Sequence, residues 1–267
     1  MAYRSWIRGR LRASLVGAVV FTVAAGAVGL LDPTALVITI GGGLGVTAMT
    51  FSRERIARAW QLVQAALEEP ADPEDILATL KRYARIHRLE GAPALERAAA
   101  QADDPFLCAA IMLATEGRDD EGLAGALAGE VRRASVEGEN ARQVVLLLGK
   151  LFPAFGLIGT LIGLAHLLHN LGNATNLAAI GPGLGIAVTT TLYGAVLANV
   201  VVLPLATKLH AHLDRRHATM QLIADGTLMV QRKEYPTRIE QMLRGAFALP
   251  TRGDASSAAL TLADRAA

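Results

Sequence analysis

The chain has 267 residues, is 52% hydrophobic and only 19% charged, and carries a formal net charge of +2. So small a charge, with no basic stripe interleaved with aromatics, excludes nucleic acid as a partner. The single cysteine, Cys108, excludes an internal disulfide framework and reads as a buried free thiol. In chain order, Arg4, Arg8, Arg10 and Arg12 precede Ala13 to Leu31, 19 residues without a charge. A basic start before an apolar core also describes a secretory signal. A second uncharged run, Pro33 to Ser52, follows at once after Asp32, so two spans joined by a tight turn fit better. Gly41, Gly42, Gly43 and Gly45 lie inside the second run without the Lys-Ser/Thr of a phosphate loop. They read as small residues that let helices approach closely.

The segment from Arg53 to Lys150 reads as soluble helices. Ile56, Trp60, Val63 and Leu67 recur at helical spacing before Glu68-Glu69-Pro70 ends the run. Asp72-Pro73 and Asp104-Pro105 each pair an N-cap with proline at the first helical position. Gly91 and Pro93 break the chain between those helices. Asp119-Asp120-Glu121 opens a charged helical run expected to continue straight into the next apolar stretch. That triplet lacks the alternating ligands and glycine of a calcium loop, and acidic residues suit a helix start.

Leu151 to Thr207 comprises 57 residues without Asp, Glu, Lys or Arg. That is room for two membrane helices of about 20 residues each. The polar stretch from His169 to Gly181, with Asn170, Asn173, Thr175 and Asn176, marks the turn between them. Lys208 to Gly245 is polar and periodic, with Leu209, Leu213, Met220, Ile223, Leu228 and Val230 as apolar markers. His210, His212 and His217 fall on different helix faces, which argues against a metal site. Residues 251–267 are small and polar and are expected to be disordered. Arg252-Gly253-Asp254 within them reads as chance in a cytoplasmic tail.

Basic residues before the first run, after the second and after the fourth, with none in the two short connections, put both termini and the central segment in the cytoplasm. The expected fold is all-α: a polytopic membrane protein with four transmembrane helices and a helical cytoplasmic domain between spans two and three. Its parts are an N-terminal hairpin (1–52), the cytoplasmic domain (53–149), spans three and four (150–207), C-terminal cytoplasmic helices (208–250) and the tail (251–267).

No span holds a carboxylate or a lysine. The polar inventory is Thr160, His166, Asn170, Thr189, Thr190, Thr191, Tyr193 and Asn199. An ion route through these helices needs its charged station from a partner helix. Gly156, Gly159 and Gly163 on span three, and Gly194, Ala195 and Ala198 on span four, form small stripes suited to close helix packing. Packing within the chain explains part of that pattern, and contact with further helices is the other reading. Pro153 and Pro204, near the cytoplasmic ends of spans three and four, start or kink their helices. No nucleophile–base pair or metal constellation is present, so an enzyme is not expected.

FPAFGLIGTLIGL (152–164), IGPGLGIAVTTTLYGAVLAN (180–199) and LPLATKL (203–209) resemble the A-subunit of bacterial flagellar stators, the MotA/PomA type of the MotA/TolQ/ExbB proton channel family. ITIGGGLGVTAMTF (38–51), EGAPALERAAAQADDPF (90–106), EGRDDEGL (116–123) and the stretch around Ile223-Ala224-Asp225-Gly226 extend the likeness over roughly residues 10 to 245.

The resemblance implies a homopentamer around a pair of single-span, MotB-like, peptidoglycan-binding partners whose transmembrane Asp binds the ion. It implies no cofactor, only transported protons or sodium ions, and an inner-membrane site surrounded by lipid. Ion flow would turn the ring and push on a FliG-like rotor protein. By position, Pro153 and Pro204 match the family's two prolines that couple ion binding to movement. Thr160 and Thr191 match threonines near the partner's Asp, and Thr190 and Tyr193 beside them complete the candidate ion path. Arg88, Glu90, Glu96 and Arg97 are the rotor-interface candidates, although several family charges are alanines in RAAAQA (97–102) and Lys150 stands where sodium-type relatives often carry an acid. A MotA-like energiser of a non-flagellar envelope machine is the alternative, and a scaffold without ion flux is a third reading.

Overall fold

The computed structural model describes residues 32–67, 72–171 and 180–247. The expected first span, the middle of the turn between spans three and four, and the tail 251–267 lie outside the described residues. Every regular element described is a helix: α1 (Pro33–Thr50), α2 (Arg53–Ala65), α3 (Pro73–Glu90), α4 (Ala92–Ala99), α5 (Pro105–Thr115), α6 (Asp120–Leu171), α7 (Ile180–Val196), α8 (Leu203–Gln231) and α9 (Pro236–Phe247). Among the described residues, three stretches are long and apolar enough to cross a membrane: Pro33–Thr50, Asp120–His169 and Gly181–Gln231.

Three helices start on an Asp-Pro pair. The carboxylate of Asp32 accepts from the N–H groups of Thr34 (2.8 Å) and Ala35 (3.3 Å). Asp72 accepts from Glu74 (3.0 Å), and Asp104 from Phe106 (2.8 Å) and Leu107 (3.0 Å). In each case proline takes a position whose N–H has no helical acceptor, and the carboxylate satisfies the donors that follow. Between α3 and α4 the chain turns at Gly91, whose φ of +83° is open to glycine at little cost.

The chain forms two compact units. One holds, of the described residues, 72–137 and 211–247. Its core combines Leu77, Leu80 and Tyr83 of α3, Leu95 of α4, Ile111 of α5, Leu123 and Leu127 of α6, Leu222 and Ile223 of α8, and Ile239 and Leu243 of α9. Gly226 lies against Leu80, where an added β-carbon would stand 2.4 Å from Cδ1. The guanidinium of Arg244 grips both Glu74 carboxylate oxygens at 2.7 Å. The phenol of Tyr83 donates to the carbonyl of Ala98 (3.1 Å), tying α3 to α4.

The other unit holds, of the described residues, 32–67, 138–171 and 180–210. There α2 buries Ala59 and Val63, with Ala59 packed beside Ala141 and Val144 of α6. The stripe read in the sequence is only partly inward: Val63 is buried and Ile56 half-buried, but Trp60 and Leu67 are exposed. Small Ala59, not the indole, fills the contact with α6.

As expected, the charged run at Asp120 continues without a break into the third apolar stretch, giving a helix of 52 residues with Pro153 inside it. A π-helical turn, Leu197–Val202, joins α7 to α8, and the N–H of Leu203 reaches back to the carbonyl of Ala198. Pro204 follows immediately. It lacks an N–H and crowds the carbonyl four residues back, and the widened turn just before it absorbs that misfit. A second π-helical turn, Val37–Gly41, interrupts α1.

Candidate functional site

The third and fourth apolar helices meet along a seam of small residues. A β-carbon on Gly163 would lie 2.6 Å from the Gly183 carbonyl oxygen, and one on Gly159 would lie 2.5 Å from Thr190 side-chain atoms. One on Gly156 would meet the Thr190 carbonyl at 2.9 Å, and one on Gly194 the Phe152 carbonyl at 2.6 Å. Partners climb on α7 as they descend on α6, so the helices are antiparallel. The glycines bring backbone against backbone, the packing that drives helix association in lipid. Gly156, Gly159, Gly163 and Gly194 are thus engaged within the chain. Ala198 is buried, whereas Ala195 is exposed.

Helix α1 covers one flank of this pair. Gly42 and Gly43 stand against the rings of Phe155 and Phe152, so close that a β-carbon would lie 2.2 Å and 2.8 Å from ring atoms. The backbone N–H of Asp32 donates to the phenol oxygen of Tyr193 (3.2 Å). Phe152, Phe155 and Gly183 carry this packing without having stood out in the sequence. The four-residue steps from Gly159 to Phe155 and from Gly183 to Ala187 were the available signal.

The 100° step of a helix separates the four ion-path candidates. Thr190 faces the seam, fully buried, and donates to the carbonyls of Ile186 (2.9 Å) and Ala187 (3.1 Å). Tyr193 belongs to the flank under α1. Thr160 and Thr191 follow the seam residues Gly159 and Thr190 by one position, which turns both to the flank opposite α1. Thr191 is exposed and Thr160 half-buried there. Pro153 and Leu157 extend the flank on α6, Ala195 and Asn199 on α7, all exposed.

Each polar group on this flank has a partner on its own helix. The Thr160 hydroxyl donates to the Leu157 carbonyl (2.6 Å), Thr191 to Ala187 (3.2 Å) and the Asn199 amide to Ala195 (2.9 Å). Hydroxyls held this way enter an apolar medium without an orphaned donor, and their lone pairs stay available to a cation. The described part of the flank has no carboxylate or lysine between Leu151 and Thr207.

The rotor-interface candidates sit at the end of α3 and on α4. Arg88 is already engaged: its guanidinium stacks 3.7 Å from the Tyr235 ring centroid and donates to the Lys233 carbonyl. Arg97 donates to the carbonyl of Pro93 (3.3 Å). Glu90 and Glu96 are exposed. Among the described residues no group of three His, Cys, Asp or Glu side chains converges as a metal site. His217 instead contacts Ser135 (2.9 Å) and Gln221 (3.0 Å).

The MotA/TolQ/ExbB proton channel family profile matches residues 98–222. The chain is 32% identical over 236 residues to chemotaxis protein PomA of Vibrio alginolyticus, covering 86% of this chain and 91% of that protein. The chain belongs to the MotA/PomA family of stator subunits.

Motility protein A of Aquifex aeolicus is 32% identical over 209 residues, covering 76% of this chain and 80% of the relative. The fold matches a structure of Campylobacter jejuni MotAB with a TM-score of 0.77 at 19% identity, covering 90% of this chain and 96% of that one. A MotA/PomA-type chain is a motor and channel component, which is not an enzyme class.

Proposed function

We propose that this stator subunit spans the inner membrane four times with both termini in the cytoplasm, and that its Thr160–Thr191 flank receives the helix of a single-span, MotB-like partner. The observation that carries this is the placement of the small-residue seam. The seam closes α6 on α7 within one chain, α1 covers the opposite side, and the flank left open carries oxygen donors but no acid. An ion passing there takes its counter-charge from the partner's Asp, and proton or sodium flow past it drives rotation against a FliG-like rotor. The fold match to MotAB complexes supports a MotB-type partner and an oligomer, read as a pentamer with lipid around it.

In this reading Thr160 and Thr191 line the ion path, Thr190 holds the seam, and Tyr193 anchors the start of α1. Pro153 lies on the open flank and Pro204 beside a π-helical turn, both positions where a small backbone change moves a helix end. Glu90 and Glu96 present charge to the rotor.

The test is a mild-detergent pull-down of the tagged chain from native membranes, with partners identified by mass spectrometry. A co-purifying single-span protein with a membrane Asp and a peptidoglycan-binding domain is expected. A different single-span partner would instead indicate a non-flagellar energiser. A stable oligomer of this chain alone would leave only a scaffold.

A further inference from the structure

Helix α2 begins two residues after the last turn of α1. Phe51 and Ser52 are extended, and the Ser52 hydroxyl accepts from the N–H of Arg55 (3.4 Å), so the chain ends one helix and caps the next at the same level. One face of α2 is used: Ala59 and Val63 are buried, and Ala59 packs beside Ala141 and Val144. Val144 precedes Lys150, the last charge before the third span, by six residues, about 9 Å along a helix. The headgroup layer on one side of a bilayer is roughly 5–8 Å deep. The N-terminal half of α2 is therefore within reach of that layer.

The rest of α2 fits a headgroup environment. Trp60 is 62% exposed, an amphipathic ring of the kind enriched where membrane meets water. Arg53 and Arg55 are exposed in the first turn, and no side-chain hydrogen bond or ion pair engages either among the described residues. Two cations at a helix start work against the helix dipole unless an anion stands opposite. Glu54 is the one acid in that turn. Basic residues directly cytoplasmic of a span match the acidic lipids of that leaflet.

We propose that α2 is an anionic-lipid site: Arg53 and Arg55 hold acidic phospholipid headgroups, and the Trp60 indole seats at the level of those headgroups. This rests on the reading that α1 crosses the membrane with its C-terminal end in the cytoplasm. The site would fix the depth and orientation of the unit that carries the ion path, and would make its stability depend on lipid charge.

The experiment uses the full chain with Trp6→Phe, which leaves Trp60 as the only tryptophan. It is reconstituted into phosphatidylcholine vesicles with or without phosphatidylglycerol, and Trp60 emission is measured against a nitroxide-headgroup lipid. The expected result is quenching that strengthens when phosphatidylglycerol is present. In Arg53→Gln/Arg55→Gln that increment is lost, with the preference falling about fivefold per arginine. Carbonate extraction is run on every sample. A chain released by carbonate contradicts the membrane reading itself. A retained chain whose Trp60 is not quenched overturns the proposal and points to a second copy covering the indole. Quenching that is independent of phosphatidylglycerol and of the two arginines also overturns the site.

Discussion

Gly163 of α6 and Gly183 of α7 stand backbone to backbone. A β-carbon on the first would lie 2.6 Å from the second's carbonyl oxygen, and the reverse distance is 2.8 Å. Neither neighbour can swing away as a side chain would, because both are main chain. Gly163→Ala or Gly183→Ala must therefore part the helices. We expect about 1–3 kcal/mol of overpacking cost, against at most ~1 kcal/mol gained from helix propensity. Gly185, with nothing within 4 Å, is the control. Thermal melts in detergent should show the first two less stable than the parent and Gly185→Ala unchanged or slightly more stable. Equal melts for all three would mean that the seam does not hold the pair.

The seam also explains what could be read from the sequence and what could not. Charge-free length announced α1, α6 and α7, because a backbone in lipid must satisfy its own hydrogen bonds and only long apolar helices do so cheaply. The Asp-Pro caps were legible because cap chemistry is local. Glycine stripes were visible, but a stripe does not name its partner, and only the fold assigns Gly156, Gly159 and Gly163 to α7 and Gly42 to Phe155. The four ion-path candidates, three of them neighbours on α7, fell on three different faces. Adjacent residues on a helix point 100° apart, so nearness in sequence is a poor guide to a shared site. Trp60 was misleading in the same way: its apolar spacing marked a stripe, yet it lies outside the buried part.

That separation makes the threonines distinguishable. Thr160→Val and Thr191→Val remove oxygens from the open flank and should change swimming speed or its dependence on sodium, with little effect on melting. Thr190→Val removes a hydroxyl that only back-bonds to its own helix, in a side chain of the same shape. Ion dependence should then stay that of the parent. Swimming speed measured across sodium concentrations checks all three. An altered ion dependence in Thr190→Val alone would move the path into the seam.

Arg88 and Glu96 should separate by a different measurement. Arg88→Ala loses the stack on Tyr235, worth about 0.5–1 kcal/mol at an exposed site, and the bond to Lys233. A lower melting temperature is expected whatever happens to torque. Glu96→Lys reverses an exposed charge and should reduce torque while the melting temperature holds. Tethered-cell rotation and thermal melts on the same two variants decide. Full torque in Glu96→Lys would remove that residue from the rotor face.

His87 gives the unit around α3 a pH dependence. Its Nδ1–H donates to the carbonyl of Val230 (3.0 Å) from a site where the residue is 8% exposed. Burial lowers the imidazole pKa below its ordinary value near 6.5; the Val230 carbonyl opposes that shift, and the charge of Lys233 adds to it. The unfolded chain therefore binds a proton before the folded one does. Stability is full above about pH 6.5 and is lost as pH falls towards and through the lowered folded value. His212 shifts the same way, from burial first and the charges of Arg216 and Arg215 after it. His87→Asn keeps an N–H donor on the side chain but cannot titrate. Its melting temperature should fall less than the parent's between pH 7.5 and pH 5.5, with a remaining slope from His212. An identical fall in both proteins would assign the acid sensitivity elsewhere.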